Sequence, residues 1–392
     1  MRLSTRTIER TYYHFALIVF GIGASMFMHE QDNALESSGH TALIGAFVFV
    51  VWFMFSMSLY KKVPVFPRPD RVIAFYSLYF LWVISVAFFL DITVQVKDAI
   101  SHFFQMSIPM LVLIVSYYHT LYNDCRKSDR HFYCIVAVIL AVMYFKIWTI
   151  QNLFEEQHLG TAYYLLFALP LILINPSKII KTMGLLMVTI IVFSSVKRGG
   201  ILALFLGLFA YIIIRQRIGK GNKWLNYLIT VCSISGVLGI FFFLAMFGET
   251  SILERFENVG NDEGSGRTLV WAEAWRLIQK GDAFEFFIGH GHNTVVRDSI
   301  FSLSAHNDYL EAWHDYGFIG MILYVMAVVS LIVSTFKSLR IKHPYSPAFC
   351  LNMVNIMLLS LISHVAMYFW MSIVMLSTGV ILGKIDHDEC CK

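Results

Sequence analysis

The chain has 392 residues, of which 57% are hydrophobic and only 14% are charged, and its mean hydropathy is +0.65. Soluble domains carry about a quarter charged residues, so this composition excludes a soluble globular protein and indicates an integral membrane protein. The formal net charge of +4 is too small to indicate a partner among the nucleic acids.

Long apolar segments follow one another along most of the chain. A helix of about 20 apolar residues spans the hydrocarbon core of a bilayer, so the pattern predicts an all-α polytopic membrane protein. The first segment is interpreted as a span rather than a signal peptide, because no small-residue cleavage site follows it. About twelve spans are predicted, at residues 12–29, 42–59, 72–90, 104–121, 132–150, 161–175, 182–196, 201–214, 224–247, 316–335, 346–363 and 365–383.

The basic residues orient these spans. Lysine and arginine concentrate on the cytoplasmic side of membrane proteins. Most of the 30 basic residues fall on that side if the N-terminus is cytoplasmic, so both termini are predicted inside. Lys146 lies within a span. The basic residues left outside are Lys97, Lys197, Arg198, Arg255, Arg267, Arg276, Lys280 and Arg297.

One connection is much longer than the others and defines three parts of the chain. Residues 1–247 hold predicted spans one to nine, residues 248–315 form a polar outer loop, and residues 316–392 hold the last three spans and a cytoplasmic tail. The loop is too rich in Trp, Phe and Leu for a disordered linker. Within it, "GRTLVWAEAWRLIQK" (266–280) has apolar residues at helical spacing, which predicts an amphipathic helix with Ser265 as its cap.

A basic pair in the stretch "SSVKRGG" lies at the outer edge of the membrane. Lys197 and Arg198 either reach phospholipid head groups, as interfacial basic residues commonly do, or form an anion site. The second interpretation rests on the forked guanidinium, which grips phosphate oxygens, and on two glycines that let the backbone approach a ligand.

Arg267 raises the same choice in the outer loop. It is either a solvated loop residue or a second phosphate ligand at the start of a helix, where the helix N-terminus adds positive potential.

The stretch "SAHNDYLEAWHDYGFIG" (304–320) places a histidine and an asparagine just before a span. Asn307 or Ser304 is predicted to cap a helix that starts near Asp308. The glycines at 317 and 320 permit close contact with a neighbouring helix. His306 is either a satisfied interfacial residue or a base, since a neutral imidazole accepts a proton near neutral pH.

The stretch "GHGHN" (289–293) does not indicate a metal site. His290 and His292 with one distant histidine and no nearby cysteine are a weak match to zinc-ligand spacing, so no metal is predicted. Five acidic residues could instead pair with the loop arginines: Glu254, Glu257, Asp262, Glu263 and Glu311.

These motifs together resemble a known family. "HNDYLEAWHDYGFIG" fits the pattern H-N-x9-G-x-x-G without gaps, and it follows an arginine in an outer hairpin, then "SGR…W", then "GHG". The order is similar to that of the O-antigen ligase and O-antigen polymerase superfamily, over roughly residues 160–335.

The resemblance implies a glycosyltransferase class C-like fold with one large periplasmic loop, in the bacterial inner membrane. It implies a metal-independent enzyme without cofactors that uses an undecaprenyl-diphosphate-linked oligosaccharide as donor and inverts the anomeric centre. Arg198 and Arg267 would hold the diphosphate, and His306 would be the base. Further substrate-binding residues are predicted at Lys197, Arg255, His292 and Asn307.

Several alternatives stay open. A polymerase passes the glycan to another lipid-linked repeat, whereas a ligase passes it to lipid A–core. The residues of the SGR, GHG and HNDYLE stretches slightly favour a polymerase. A lipid-linked glycan flippase is less favoured, because the predicted spans are nearly free of charge. A non-catalytic assembly scaffold is less favoured still. If His306 is not the base, Glu311 and Asp308 are the next candidates.

Overall fold

The computed structural model describes residues 5–32, 38–60, 70–91, 96–152, 160–195, 197–219, 267–365 and 369–391. Regular secondary structure within these ranges is entirely helical, which agrees with the predicted all-α class. The helices are α1 (Thr5–Asp32), α2 (Ser38–Tyr60), α3 (Arg71–Asp91), α4 (Val96–Asn123), α5 (Lys127–Asn152), α6 (Ala162–Leu173), α7 (Lys178–Ser194), α8 (Arg198–Arg217), α9 (Arg267–Lys280), α10 (Ala283–Ile288), α11 (Thr294–Asp298), α12 (Asp308–Arg340), α13 (Ser346–Ile362) and α14 (Met371–Cys390).

Several of these helices are suited to a bilayer, which supports a polytopic membrane protein. Every predicted span except 224–247 overlaps a helix, and 224–247 lies outside the described residues. The number of crossings and the large periplasmic loop stay predictions. The six helical segments that are long and apolar enough to cross a membrane, within the ranges given above, are Glu9–Met28, Arg71–Leu90, His102–Asn123, Lys127–Ile150, Gly199–Arg217 and Asp308–Arg340.

Helix α2 illustrates which surfaces face lipid. Val48 and Trp52 are buried against the other helices, whereas Leu43, Phe47 and Met54 are each more than half exposed. Such a large apolar surface is unfavourable in water but natural against acyl chains, which are as apolar as leucine. The exposed face of α2 is therefore best explained as a lipid-facing surface.

Helix α14 packs closely against α4 through two glycines one turn apart. A Cβ atom built on Gly379 would lie 2.7 Å from the carbonyl oxygen of Leu113, and one on Gly383 would lie 2.5 Å from that of Tyr117. These glycines form a G-x-x-x-G motif, which lets two membrane helices bring their backbones together. The motif thus holds α14 directly against α4.

Buried polar groups join α13 to the same helix. The amide nitrogen of Asn352 donates to the hydroxyl of Thr378 at 2.8 Å, and the hydroxyl of Ser377 donates to the amide oxygen of Asn352 at 3.0 Å. Hydrogen bonds of this kind stabilise the association of helices in a medium without water.

Helix α12 connects two chemically different ends of the bundle. Its first residue comes two positions after His306. The turn after its last residue holds His343, which pairs with Asp388 at 3.0 Å. The long apolar part of α12, residues 318–340, extends about 35 Å at 1.5 Å per residue. His306 and the ionic contacts of His343 therefore lie at opposite ends.

A change of direction divides α12 at Gly317, which has φ 70° and ψ 178°. That backbone conformation is essentially restricted to glycine, and it separates a short first segment from the long apolar one. The short segment packs with α9, α10 and α11, and a small core there is formed by Ala274, Val295 and Ala305 with Leu310. The predicted amphipathic helix is present as α9, with Val270, Ala274 and Ile278 buried.

The close packing of α14 can be tested by adding single methyl groups. Gly379→Ala or Gly383→Ala forces the new Cβ into the backbone of α4, and overpacking of this kind costs about 1–3 kcal/mol. We expect a lower midpoint of thermal unfolding for both variants in detergent. In the control Gly160→Ala, the Cβ has only ordinary contacts at 3.9 Å with the Trp370 ring. Equal midpoints for all variants would contradict the close approach.

Candidate active site

The turn that carries His306 is held by the start of α12. The side-chain oxygen of Asn307 accepts hydrogen bonds from the backbone N–H groups of Tyr309 and Leu310, at 3.0 and 3.2 Å. The predicted helix cap is therefore confirmed at Asn307 and not at Ser304. The amide nitrogen of Asn307 donates to the carbonyl of Leu361 at 3.4 Å, which ties this turn to the end of α13.

Two buried acidic side chains hold the same turn by hydrogen bonds. Glu311 accepts the backbone N–H of His306 at 3.1 Å. Asp308 accepts the backbone N–H of Val365 at 2.8 Å and the hydroxyl of Tyr324 at 3.0 Å. Since both carboxylates hold the protein itself, they position the turn and are poor candidates for the base. Among the described residues Glu311 has no arginine partner of the kind that the sequence suggested.

The imidazole of His306 stacks on that of His364, with ring centroids 4.7 Å apart and an angle of 20° between the planes. His364 is held by Ser304, whose hydroxyl oxygen lies 3.0 Å from its Nδ1 atom. It also contacts the ring of Trp370. His364 was not predicted as a site residue, although it precedes the last predicted span on the same side of the membrane as His306. That position was the signal in the sequence.

Burial and nearby positive charge keep both imidazoles neutral. Burial is the main cause that lowers the pKa of His306 to about 4, and Arg267 and Lys197 lower it further. The pKa of His364 is lowered well below its usual value by burial, by His306 and by the same two basic residues. At neutral pH His306 thus carries an uncharged ring that can accept a proton.

The fold brings together basic residues that are far apart in the chain. Lys197 precedes α8, Arg267 is the first residue of α9, and both act electrostatically on His306 and His364. Arg198 begins α8, but its side chain is outside the described part of the structure. Two arginines predicted to bind an anion thus each open a helix, where the free N–H groups add positive potential.

The two glycines after Arg198 have a different role from the predicted one. A Cβ on Gly199 would lie 3.0 Å from Ile362 and 3.3 Å from the hydroxyl of Tyr163, and one on Gly200 would lie 3.1 Å from the Tyr163 ring. Their small size is therefore used for packing of α8 against α6 and α13, rather than for the approach of a ligand to the backbone.

His292 contacts α4 and the motif of α12. It is only 7% exposed, bonds through Nδ1 to the hydroxyl of Tyr316, and lies edge-on to the ring of His102 on α4 at 4.2 Å. These contacts join the GHGHN stretch to α4 and α12, and the substrate-binding role of His292 stays a prediction. Arg255, also predicted to bind substrate, lies outside the described residues.

His290 is likewise part of the framework. Its ring stacks on that of His314 with centroids 4.2 Å apart, and its Nδ1 atom lies 3.0 Å from the His314 carbonyl oxygen. In the described ranges, no three His, Cys, Asp or Glu side chains are grouped so as to hold a metal ion.

Two glycines allow the "GHG" stretch to lie directly on the motif of α12. A Cβ on Gly317 would be 2.2 Å from the carbonyl oxygen of Phe287, and one on Gly289 would be 2.3 Å from that of Asp315. Gly320, one turn further, lies close to Trp82 of α3, whose indole N–H donates to the carbonyl of Tyr316 at 2.9 Å. The predicted close contact of Gly320 with a neighbouring helix is confirmed.

Comparison with known families agrees with the resemblance drawn from the motifs. Residues 182–325 match the family described as O-antigen ligase. This region includes Lys197, Arg267 and His306 but ends before His364. No curated protein matches the chain.

The contact at Gly317 can be tested through the exposure of residues 267–298, which form α9 to α11. Gly317→Ala combines a disfavoured backbone conformation, which costs about 1–3 kcal/mol, with a clash at Phe287. We expect faster trypsin cleavage of the variant in membranes, whereas Gly160→Ala should be cut at the wild-type rate. An unchanged rate for Gly317→Ala would show that the contact is not needed. The bonds to monitor follow Arg276, Lys280 and Arg297.

Proposed function

Because residues 182–325 match the O-antigen ligase family, we propose that the chain is a member of the O-antigen ligase and polymerase superfamily. We propose that it transfers an undecaprenyl-diphosphate-linked glycan at the periplasmic face of the bacterial inner membrane. Its family match implies a glycosyl-transferring enzyme. The observation that carries the proposal is a neutral imidazole, His306, within electrostatic reach of Arg267 and Lys197.

The basic residues are proposed to hold the leaving group. Cleavage of a sugar from a lipid diphosphate leaves negative charge on the diphosphate, and preorganised cations stabilise that charge without a metal. Arg267 and Arg198 would contribute forked contacts from the first residues of α9 and α8, and Lys197 would add a third charge. The N-termini of both helices favour the same anion.

His306 is proposed to accept the proton of the attacking sugar hydroxyl. A pKa of about 4 would make it a weak base in the empty site, since a base works best with a pKa near the operating pH. A bound diphosphate neutralises Arg267 and Lys197 and places negative charge beside the ring. Both effects favour the protonated imidazole, so the donor itself raises the pKa of His306 towards neutrality.

The geometry of His306 supports direct displacement. Asn307 and Glu311 fix the turn by hydrogen bonds, and His364 limits the ring on one face. A single base on one side of the anomeric carbon and a cationic site on the other would invert the configuration. His364 is best regarded as a positioning residue, because it contacts His306 and Ser304.

We propose a second lipid-linked repeat as acceptor, which makes the protein a polymerase of O-antigen or exopolysaccharide. The second candidate is a ligase with lipid A–core as acceptor, favoured by the description of the matched family. The purified full chain should be given the lipid-linked repeat alone, and then with lipid A–core. Chains that grow on the lipid carrier indicate a polymerase, and glycan on lipid A–core indicates a ligase. Movement of intact donor across vesicles without transfer would instead indicate a flippase.

Replacement of His306 tests the base. His306→Ala should lower kcat by roughly 10²–10⁴-fold while donor affinity is retained, because a lost general base affects the chemical step. Turnover and donor binding of the purified variant are the measurements. If donor affinity collapses and kcat holds, His306 binds substrate and is not the base.

The pH dependence gives an independent test in the wild-type enzyme. The profile of kcat/KM reports the free enzyme and that of kcat the donor complex. Because the reactive form is the neutral imidazole, kcat/KM should fall only as pH approaches 4. Activity measured by kcat should fall at a higher pH, since the bound diphosphate raises the pKa. Coinciding acidic limbs, or a kcat limb at lower pH, would contradict activation by the donor.

Replacement of Arg267 tests the leaving-group site. Arg267→Ala should lower kcat/KM by about 10²–10³-fold, as expected for loss of one group that stabilises transition-state charge. Arg267→Lys should recover only part of the loss, because an ammonium cannot make the forked contact. Arg276→Ala is the matched control, since Arg276 lies on the same helix and pairs with Glu273 at 2.7 Å. Equal activity in all three variants would contradict the proposed site.

A further inference from the structure

A cavity lies at the end of the bundle opposite to His306, between the α6–α7 turn, the end of α8 and the α12–α13 turn. Its volume is about 220 Å³, compared with about 10–15 Å³ for a single water. Arg215 lines it from the last turn of α8, about 25 Å along that helix from Arg198. The cavity is therefore separate from the site that holds His306.

Three basic residues from three helices line this basic cavity: Arg130 of α5, Lys181 of α7 and Arg215 of α8. No carboxylate lines it among the described residues. The nearest acidic residue in sequence to Arg130, Asp129, is occupied by Arg10 at 3.0 Å and His14 at 2.8 Å. The cavity thus collects positive charge without a counter-charge.

The sequence explains why no acidic partner is close at hand. No aspartate or glutamate occurs between Glu156 and Glu249, a stretch that contains α6, α7 and α8. Lys181 and Arg215 therefore have no acidic residue to pair with in α6, α7 or α8. Like charges around a partly closed space repel one another, so this arrangement is costly unless an anion enters.

Tyrosine hydroxyls hold the two guanidinium groups without neutralising them. Arg130 donates to the hydroxyl of Tyr345 at 3.1 Å, and Arg215 donates to the hydroxyl of Tyr211 at 3.2 Å. The Nε atom of Arg130 is buried and has no hydrogen-bond partner among the described residues. This unpaired guanidinium donor is available to an acceptor group that enters the cavity.

We propose that the basic cavity binds a phosphate group on the side predicted to be cytoplasmic. Forked guanidinium contacts and a lysine ammonium are the pattern that recognises phosphate, and the surplus of positive charge suits an anion with more than one negative charge. The phosphate comes either from the head group of an inner-leaflet phospholipid or from a soluble phosphate. The proposal is independent of the transfer reaction.

The site predicts that removal of charge changes binding but not folding. In Lys181→Gln combined with Arg215→Gln, two repelling cations disappear, so the variant without ligand should unfold at the wild-type temperature or above it. Lys178→Gln combined with Arg217→Gln is the matched control, because these residues lie on the same two helices but do not line the cavity. Both double variants lose the same charge.

The experiment measures the midpoint of thermal unfolding of the full chain in a neutral detergent. The probes are dioctanoyl phosphatidic acid, dioctanoyl phosphatidylcholine and sodium phosphate, and Arg267→Gln serves to report binding at the other site. We expect phosphatidic acid to raise the midpoint of wild type, the control and Arg267→Gln by several degrees, and that of the cavity variant by less than half as much.

The outcomes separate the two sources and the failure of the idea. A rise with phosphatidic acid but not with inorganic phosphate supports a lipid head group, and an equal rise with inorganic phosphate supports a soluble ligand. The proposal is overturned if neither phosphatidic acid nor inorganic phosphate raises the wild-type midpoint. It is also overturned if the midpoint of the Lys181→Gln, Arg215→Gln variant rises as much as that of the control. Loss of the rise only in Arg267→Gln would overturn it as well.

Discussion

The hydrogen bond from the backbone N–H of His306 to the buried carboxylate of Glu311 determines where the imidazole lies. His306 has φ 50°, an uncommon conformation for a residue with a side chain, and such a turn persists only when its surroundings hold it. Asn307 holds it from the helix side, and His364 limits the ring from the opposite loop. A shift of this one turn would move the proposed base away from Arg267.

Much of the fold could be predicted from the sequence because the bilayer restricts the possible structures. Helices satisfy their own backbone hydrogen bonds, so apolar runs such as 72–90 and 132–150 were predicted correctly as helices. The cap at Asn307 and the amphipathic helix α9 could also be predicted, since both depend on residues that are close in the chain. Local patterns carry this information reliably.

Contacts between distant segments were the part that could not be predicted. His364 joins the site through the packing of α13 beside α12, and no spacing within "HNDYLE" indicates it. Gly199 and Gly200 resembled ligand-contacting glycines, yet Tyr163 of α6 occupies the space above them. His292 was predicted to bind substrate, and its burial against His102 of α4 could not be predicted from the GHGHN stretch. In each case tertiary packing decides the surroundings of the residue.

The end of α13 and the turn after it connect the matched region to the C-terminal part of the chain. Leu361, His364 and Val365 all bond to or stack on the His306 turn, but they lie beyond the matched region that ends at residue 325. A hybrid that took residues 182–325 from this chain and the remainder from a relative would therefore place a foreign loop against its own proposed base. The region that matches the family is thus not sufficient to hold the His306 turn, and the end of α13 with the residues that follow it must come from the same chain.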